Sequence, residues 1–304
     1  MGWNFADELN RWGPAHTPSA AVGLRAAKAY CSHVARGHYE NFTVVSLLLP
    51  RRLVPHFHAV YAYCRWADDL ADETAGGEES LALLDWWRSE LRSCYTGTPM
   101  HPVTIALRET IRRFDIPPEP FLNLLVAFEQ DQRVNRYDTF DQLRGYCANS
   151  ANPVGRLVLH LFESFDSERA ALSDEVCTGL QLANFWQDVS RDLDIGRVYL
   201  PKEDRDRFGY TDDDLAAKRF TPAFRELMRF EVKRANSFFD RGSKLPPLLP
   251  RSARTDVDLF IAGGRAILQA IERGGHDVWS RRPEVSKVAK LTLLLRSLCN
   301  RMIG

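Results

Sequence analysis

Residues 61–73 read YAYCRWADDLADE, an aromatic and apolar run that leads into an arginine and then into four acidic residues. In a helix, Asp68 and Asp72 lie one turn apart on the same face, and Asp69 and Glu73 form a second pair beside them. Repulsion between like charges at this spacing costs about 0.2–0.5 kcal/mol, which an exposed helix can tolerate. The spacing alone therefore does not identify a functional site.

Residues 181–192 read QLANFWQDVSRD and repeat the arrangement with Asp188 and Asp192. Composition alone gives about one or two such pairs by chance, so the surroundings of the pairs carry more weight than their spacing. Both pairs lie among apolar and aromatic residues, where acidic side chains are costly unless a positive charge compensates them. Arg65 and Arg191 could supply that charge in a purely structural salt-bridge network.

Divalent cations are the alternative source of positive charge. Mg²⁺ takes oxygen ligands and is commonly held by one or two carboxylates together with substrate phosphates. Few cysteines or histidines surround the two acidic pairs, which disfavours zinc or iron. Two facing acidic helices would therefore suit Mg²⁺ and a diphosphate.

Composition and charge exclude several classes of protein. The chain has 304 residues, 45% of them hydrophobic and 26% charged, and a formal net charge of zero, which does not indicate nucleic-acid binding. Its six cysteines are scattered without a C-x-x-C spacing, which argues against a zinc site or a disulfide framework and favours a reducing cytosol. The N-terminus lacks the pattern of a signal peptide, and the longest apolar runs fall short of the ~20 residues that span a bilayer. We expect a cytoplasmic protein.

The pattern along the chain predicts helix after helix, with no clean period-two alternation. The predicted helices cover residues 20–36, 52–73, 79–95, 103–114, 119–134, 139–164 with a bend near Pro153, 174–194 beginning at Ser173, 202–208, 212–218, 221–241, 252–273 and 284–302. The predicted fold is all-α, a single domain over residues 1–304 with an irregular segment within residues 1–20. Its helices are expected to pack around a central cavity.

Three segments together resemble the squalene/phytoene synthase family of head-to-head prenyl transferases. Residues 61–72 match the family's first aspartate motif, and residues 181–201 match the second motif with its tail GRVYLP at 196–201. Between them, Tyr146-Cys147 and 152–155 (NPVG) match the central segment. The similarity covers roughly residues 25–300 and implies an all-α isoprenoid synthase fold.

The resemblance also implies roles for individual residues. It implies a cluster of two or three Mg²⁺ ions held by Asp68, Asp69, Asp72, Asn184, Asp188 and Asp192. It places substrate at Tyr61, Arg65, Gln181, Asn184, Val154, Gly155, Tyr199 and Arg281. The implied catalytic residues are Asp68, Asp72, Asp188, Asp192 and Tyr146. Phe42, Tyr146 and Phe185 would line an apolar cavity for carbocations. A leaving diphosphate gains negative charge, which metals and arginine neutralise.

Two departures from the family pattern narrow the expected reaction. Residues 38–42 read HYENF, so Glu40 stands where many members carry a diphosphate-binding lysine, and Gln187 stands where many carry arginine. The Glu40 carboxylate would repel diphosphate. This suggests an enzyme that acts on one prenyl diphosphate rather than joining two. The same run resembles the bacterial hopanoid-pathway branch that converts presqualene diphosphate to hydroxysqualene without NADPH. Glu40 or Asn41 would then position the capturing water and bind substrate with Phe42; alternatively, Glu40 pairs with a surface arginine.

Two other functions remain open from the sequence. One is the condensation of two farnesyl or geranylgeranyl diphosphates to presqualene diphosphate, squalene or phytoene. The other is an inactive helical partner that associates with other squalene-pathway enzymes. Residues 281–290 (RRPEVSKVAK) could rest on the inner face of an anionic membrane or form a closing helix of the bundle.

Overall fold

The computed structural model describes residues 3–16, 22–37 and 49–285. This part of the chain is built from α-helices, one 3₁₀ turn and an isolated bridge between Arg136 and Val198, which confirms the predicted all-α class. Two compact units can be distinguished: the described residues up to Arg133 together with 157–163, and 134–156 together with the described residues from Ser164 onward. A single domain around a central cavity remains a prediction.

Within the described residues, the first unit contains six complete helices and the end of another helix, which we label α8. They are α1 (Phe5–Trp12), α2 (Leu24–Gly37), α3 (Val54–Asp72), α4 (Gly77–Thr96), α5 (Pro102–Phe114), α6 (Glu119–Asp131) and the end of α8 (Asn152–Leu161). Helix α1 replaces the irregular segment predicted at the N-terminus, which is a correction. Asn4 caps it by accepting a hydrogen bond from the Asp7 amide at 3.4 Å, so a short local signal forms the helix.

A stack of aromatic side chains forms the core of the first unit. Trp66 of α3 stacks on Trp87 of α4 at 5.4 Å between ring centroids, and Tyr63 also stacks on Trp87 at 5.5 Å. The His101 ring meets Trp66 edge-on at 4.4 Å and Trp87 at 4.9 Å. Its Nδ1 accepts a hydrogen bond from the Val103 amide at 3.2 Å, so this buried histidine also caps α5. Burial of these rings fixes helix α3, which carries the first acidic motif.

The second unit contains the remaining helices. They are α7 (Phe140–Ser150), the start of α8, α9 (Ser167–Asp194), α10 (Lys202–Phe208), α11 (Asp212–Ala216), α12 (Pro222–Gly242), the 3₁₀ turn Pro246–Leu248 and α13 (Arg251–Arg273). The sequence predicted one bent helix over 139–164, but two helices form, separated at Ala151. Helix α9 begins seven residues earlier than predicted, because Asp166 caps it by accepting a hydrogen bond from the Arg169 amide at 2.7 Å. Ser173, the predicted start, lies buried within the helix.

Helices α9, α12 and α13 pack closely around the ring of Phe239. An added Cβ at Gly264 of α13 would lie 2.3 Å from the Phe239 Cζ, and one at Gly179 of α9 would lie 3.0 Å from the same ring. Glycine at both positions therefore allows the helices to approach. This packing supports α9, the helix that carries the second acidic motif.

Candidate active site

Helix α3 presents the first motif on one face. Tyr61, Arg65, Asp68 and Asp72 stand at positions i, i+4, i+7 and i+11, which fall on the same side of an α-helix. The Asp68 side chain is 42% exposed and forms an ion pair with Arg65 Nη1 at 3.2 Å. Asp72 is exposed at the last residue of the helix. Two of the three carboxylates of this motif that were predicted to bind metal, Asp68 and Asp72, are thus accessible to an ion from solvent.

Arg65 is held by three carboxylates at once. Besides Asp68, its Nη2 pairs with the Asp69 carboxylate and with Glu73 Oε1, the latter at 2.9 Å. A guanidinium presents five donors in a planar fork and can therefore serve several acceptors. The guanidinium of this arginine is thus positioned by carboxylates of its own segment.

Asp69 differs from the other acids of the motif because it is fully buried. Its Oδ2 accepts a hydrogen bond from the Trp3 indole at 3.2 Å, while Arg65 pairs with its Oδ1. Burial raises the pKa of Asp69 to about 7, and the pairing with Arg65 opposes this rise. Asp69 was predicted as a metal ligand from the sequence, and the structure instead places it beneath Arg65.

Helix α9 presents the second motif in the same way. Gln181, Asn184, Asp188 and Asp192 stand at i, i+3, i+7 and i+11, again on one face. Asn184 is exposed, whereas the side chain of Asp188 is 23% exposed. The predicted amide and carboxylate donors of this motif are brought together by the helix alone.

The carboxylates of the second motif are electrostatically coupled. Burial and the nearby Asp188 raise the pKa of Asp192 to about 7, and Arg197 opposes this rise. Asp188 itself forms a bidentate ion pair with Arg282, with Nε–Oδ1 at 2.6 Å and Nη2–Oδ2 at 2.9 Å. Arg191, the partner proposed from the sequence, lies 3.8 Å from Asp188 and is mostly exposed. The cation that pairs most closely with Asp188 therefore comes from a segment more than ninety residues away in the chain.

Tyr146 and Tyr199 belong to an aromatic group in the second unit. The rings of Tyr199 and Phe185 stack at 3.8 Å with an angle of 13° between their planes. Tyr146 lies 6.0 Å from Tyr199 and 6.2 Å from Phe185, and Tyr137 stacks on Tyr199 at 6.0 Å. A small pocket beside this group is lined by Phe185, Tyr199, Arg197 and Asp192. Aromatic faces and a carboxylate thus lie next to each other.

The remaining predicted substrate residues occupy varied positions. Val154 is exposed, whereas Gly155 lies against α9, where an added Cβ would be 2.3 Å from Ser173 Oγ and 2.5 Å from Cys177 Sγ. The direct role of Gly155 in the structure is to allow α8 and α9 to approach. Arg281 is exposed. Glu40, Asn41 and Phe42 lie outside the described residues, as does the basic stretch beyond residue 285.

Most of the predicted donors suit Mg²⁺. Asp68, Asp72, Asp188 and Asp192 offer carboxylate oxygens, which hard divalent cations prefer. Burial, and to a smaller extent the nearby Asp188 carboxylate, raise the pKa of Asp192, and a bound cation would oppose both effects. Asp69 does not fit, because it is buried and engaged by Trp3 and Arg65.

The chain belongs to the squalene/phytoene synthase family, whose model matches residues 35–289. Members of this family are enzymes that act on prenyl diphosphates, and their chemistry uses Mg²⁺. The chain is 30% identical over 277 residues to a phytoene synthase of Arthrospira platensis, covering 87% of this chain and 90% of the relative. It is 32% identical over 286 residues to the chloroplastic phytoene synthase 3 of Zea mays, covering 91% of this chain and 67% of the relative.

Solved structures show the same fold. The squalene synthase HpnC from Alicyclobacillus acidocaldarius is 48% identical, with a TM-score of 0.81 over 85% of this chain and 98% of that chain. A dehydrosqualene synthase crystallised with a ligand is 26% identical, with a TM-score of 0.82 over 92% of this chain and 98% of that chain. These similarities confirm the family and the helical squalene synthase fold expected from the motifs.

No helix within the described residues combines the length and apolar character needed to cross a membrane.

Sequence reasoning missed several residues that support the two motifs. Gln132 donates to the Ala71 carbonyl and accepts from the Gly77 amide, each at 3.1 Å, so it joins the end of α3 to the start of α4. Trp3 and Arg282 contact motif aspartates across long separations in sequence. Such partners leave no periodic signal. Arg282 adjoins the predicted Arg281, and Gln187 was noted only as a departure from the family pattern.

Proposed function

We propose that this enzyme converts presqualene diphosphate and water to hydroxysqualene and diphosphate, without NADPH. The C–O bond to the diphosphate breaks with its electron pair leaving on the diphosphate. The resulting cyclopropylcarbinyl cation rearranges, and water captures it with loss of a proton to solvent or to the diphosphate. The atoms and charges balance without an oxidant or reductant.

The observation that carries this proposal is the 48% identity to a bacterial squalene synthase over nearly the whole of that chain. Identity to the phytoene synthases reported above is much lower, at 30–32%. This difference favours thirty-carbon over forty-carbon chemistry. Glu40 and Gln187, which replace cationic residues found in many family members, favour a single diphosphate over two.

The acidic motifs would supply the charge control that ionisation needs. Asp68, Asp72, Asp188 and Asp192 with Asn184 would hold two or three Mg²⁺ ions, which would supply the positive charge that a departing diphosphate needs. Arg65, already positioned by Asp69 and its other carboxylate partners, donates hydrogen bonds to the diphosphate. The Tyr61 hydroxyl, one turn before Arg65 on the same face of α3, and the amide of Gln181 add further polar contacts.

The aromatic group of the second unit would protect the cation. Tyr146, Phe185 and Tyr199 present π faces within about 6 Å of one another, and such faces attract positive charge. An apolar wall also keeps stray water away from the reactive carbon. Phe42 would extend this wall, while Glu40 or Asn41 would direct the one productive water; these three roles rest on the sequence.

Condensation of two prenyl diphosphates is the second candidate. It is favoured by the identity of the curated relatives, which are phytoene synthases that match 87–91% of this chain. Intact aspartates in both motifs are compatible with either reaction.

Product analysis distinguishes the two candidates. The purified full chain is incubated with Mg²⁺ and, separately, with presqualene, farnesyl or geranylgeranyl diphosphate, and the lipids are identified by mass spectrometry. We expect hydroxysqualene from presqualene diphosphate, with ¹⁸O incorporated from labelled water. Formation of phytoene from geranylgeranyl diphosphate, or of presqualene diphosphate from farnesyl diphosphate with no turnover of presqualene diphosphate, would replace the first proposal by the second.

A further inference from the structure

The side chain of Gln187 holds the segment that carries Arg282. Its Oε1 accepts a hydrogen bond from Arg282 Nη2 at 3.0 Å, and its Nε2 donates to the Pro283 carbonyl at 2.6 Å. Gln187 is buried, so both ends of its amide are engaged away from bulk water. Glutamine suits this position because a single amide can both accept and donate.

Arg282 in turn covers the first aspartate of the second motif. Its guanidinium contacts both oxygens of Asp188, and the two side chains are only 32% and 23% exposed. Two parallel charge-assisted hydrogen bonds fix the arginine in a defined geometry. The more distant Arg191 is 68% exposed, so solvent screens its attraction to Asp188.

A metal ion and this guanidinium compete for the same carboxylate. The adjacent Arg282 would repel a divalent cation bound at Asp188. Its hydrogen bonds also occupy both oxygens of the Asp188 carboxylate. The second motif therefore already contains a cation of the chain itself, paired with Asp188.

We propose that Arg282, seated by Gln187, is an internal counter-cation for the second aspartate motif and that a divalent cation must displace it from Asp188 to bind. This inference rests on the proposed metal-binding role of the motif. Gln187 is then a positioning residue that acts through Arg282. An arginine at position 187 would repel Arg282 and could not accept its hydrogen bond. Gln187 therefore positions Arg282, in addition to removing a cation that would contact diphosphate.

Metal affinity of the full-length protein tests the proposal without reference to catalysis. Mn²⁺ is titrated into wild type and variants without substrate, free Mn²⁺ is followed by electron paramagnetic resonance, and Mg²⁺ affinity is obtained by competition. We expect Arg282→Gln to bind Mn²⁺ about three- to tenfold more tightly than wild type, because a partly buried competing ion pair is removed. Arg282→Lys, which keeps the charge without the bidentate geometry, should give an intermediate affinity.

Two further variants test the specificity of the effect. Arg281→Gln removes the same charge from the neighbouring exposed position and should change Mn²⁺ affinity by less than about twofold. Gln187→Leu should tighten Mn²⁺ binding in the wild-type background, yet have less than about a twofold effect when added to Arg282→Gln. Circular dichroism melts establish that each variant is folded.

The possible results separate the two proposals. Unchanged or weaker Mn²⁺ binding by folded Arg282→Gln, with wild type binding Mn²⁺, would overturn the counter-cation role and leave the proposed reaction standing. An equal gain in Arg281→Gln would also overturn it, since only local charge would matter. Absence of Mn²⁺ binding in wild type and in every variant, in the presence as well as the absence of inorganic diphosphate, would refute the metal site itself, while the product assay judges the reaction separately.

Discussion

Acidification should destabilise the first unit through His101. Complete burial among tryptophan rings lowers the pKa of His101 to about 3, whereas the unfolded chain has the ordinary histidine value of about 6.5. The unfolded state thus binds more protons between these two values. The stability that neutral His101 allows is present above about pH 6.5 and is lost as the pH falls below it.

The size of the effect follows from the two pKa values. Relative to pH 7.5, the linkage relation gives a loss in unfolding free energy of about 1.3 kcal/mol at pH 5.5 for this group alone. Other groups titrate in the same range; burial lowers the pKa of His56 and His58, for example. The effect of His101 is therefore obtained as a difference between proteins rather than from wild type alone.

The variant His101→Asn provides that difference. Asparagine does not titrate and can still accept the Val103 amide hydrogen bond that caps α5. Urea unfolding of both proteins at pH 7.5 and 5.5, followed by circular dichroism, should show a drop about 1.3 kcal/mol larger in wild type. The variant should be less stable at pH 7.5, because a smaller side chain leaves space between the tryptophans. An equal drop in the two proteins would refute the assignment of a neutral, buried histidine.

Three further substitutions test individual contacts. Gly264→Ala should lower the unfolding free energy by about 1–3 kcal/mol through overpacking, whereas the neighbouring Gly263→Ala, with open space at its Cβ, should be neutral or stabilising by up to about 1 kcal/mol; equal effects in urea unfolding would contradict the close packing. Asp69→Asn should retain at least about tenfold more kcat than Asp72→Asn if Asp69 positions Arg65 and does not bind metal, and the reverse order would restore it as a ligand. Thr139→Ala removes a complete capping box and should cost about 1 kcal/mol, while an unchanged melting curve would show that the cap is redundant.

Local signals in the sequence predicted much of the fold. Helix α10 has the predicted bounds, Lys202–Phe208, and Pro55 lies in the first turn of α3 as expected. Errors arose where a longer-range or competing signal decided the outcome. Asp166 caps α9, so the helix begins there and not at the later Ser-Asp-Glu run from which the prediction began it. Secondary structure follows neighbouring residues closely, whereas the choice between two caps depends on how the helix then packs.

The candidate site was predictable to the extent that it follows helical periodicity. Spacing placed Asp68 and Asp72 on one face, and Asp188 and Asp192 on another, without any tertiary information. Periodicity could not show that Asp69 is buried and bonded to Trp3, because these contacts arise from tertiary packing and Trp3 lies sixty-six residues away in sequence. Nor could it find Arg282, whose contact with Asp188 spans ninety-four positions. Residues that support a motif from distant segments require the folded chain.

The stacked tryptophans beside the first motif provide an intrinsic spectroscopic signal. Trp66 follows Arg65 directly and lies fully buried against Trp87 and His101, with its indole donating to the Tyr30 hydroxyl at 3.2 Å. Any shift of α3 on ligand binding would alter this stacking, and with it the emission and near-ultraviolet dichroism of the indoles. Ligand binding at α3 can thus be followed in the unlabelled protein, with Trp66→Phe identifying which of the seven tryptophans responds.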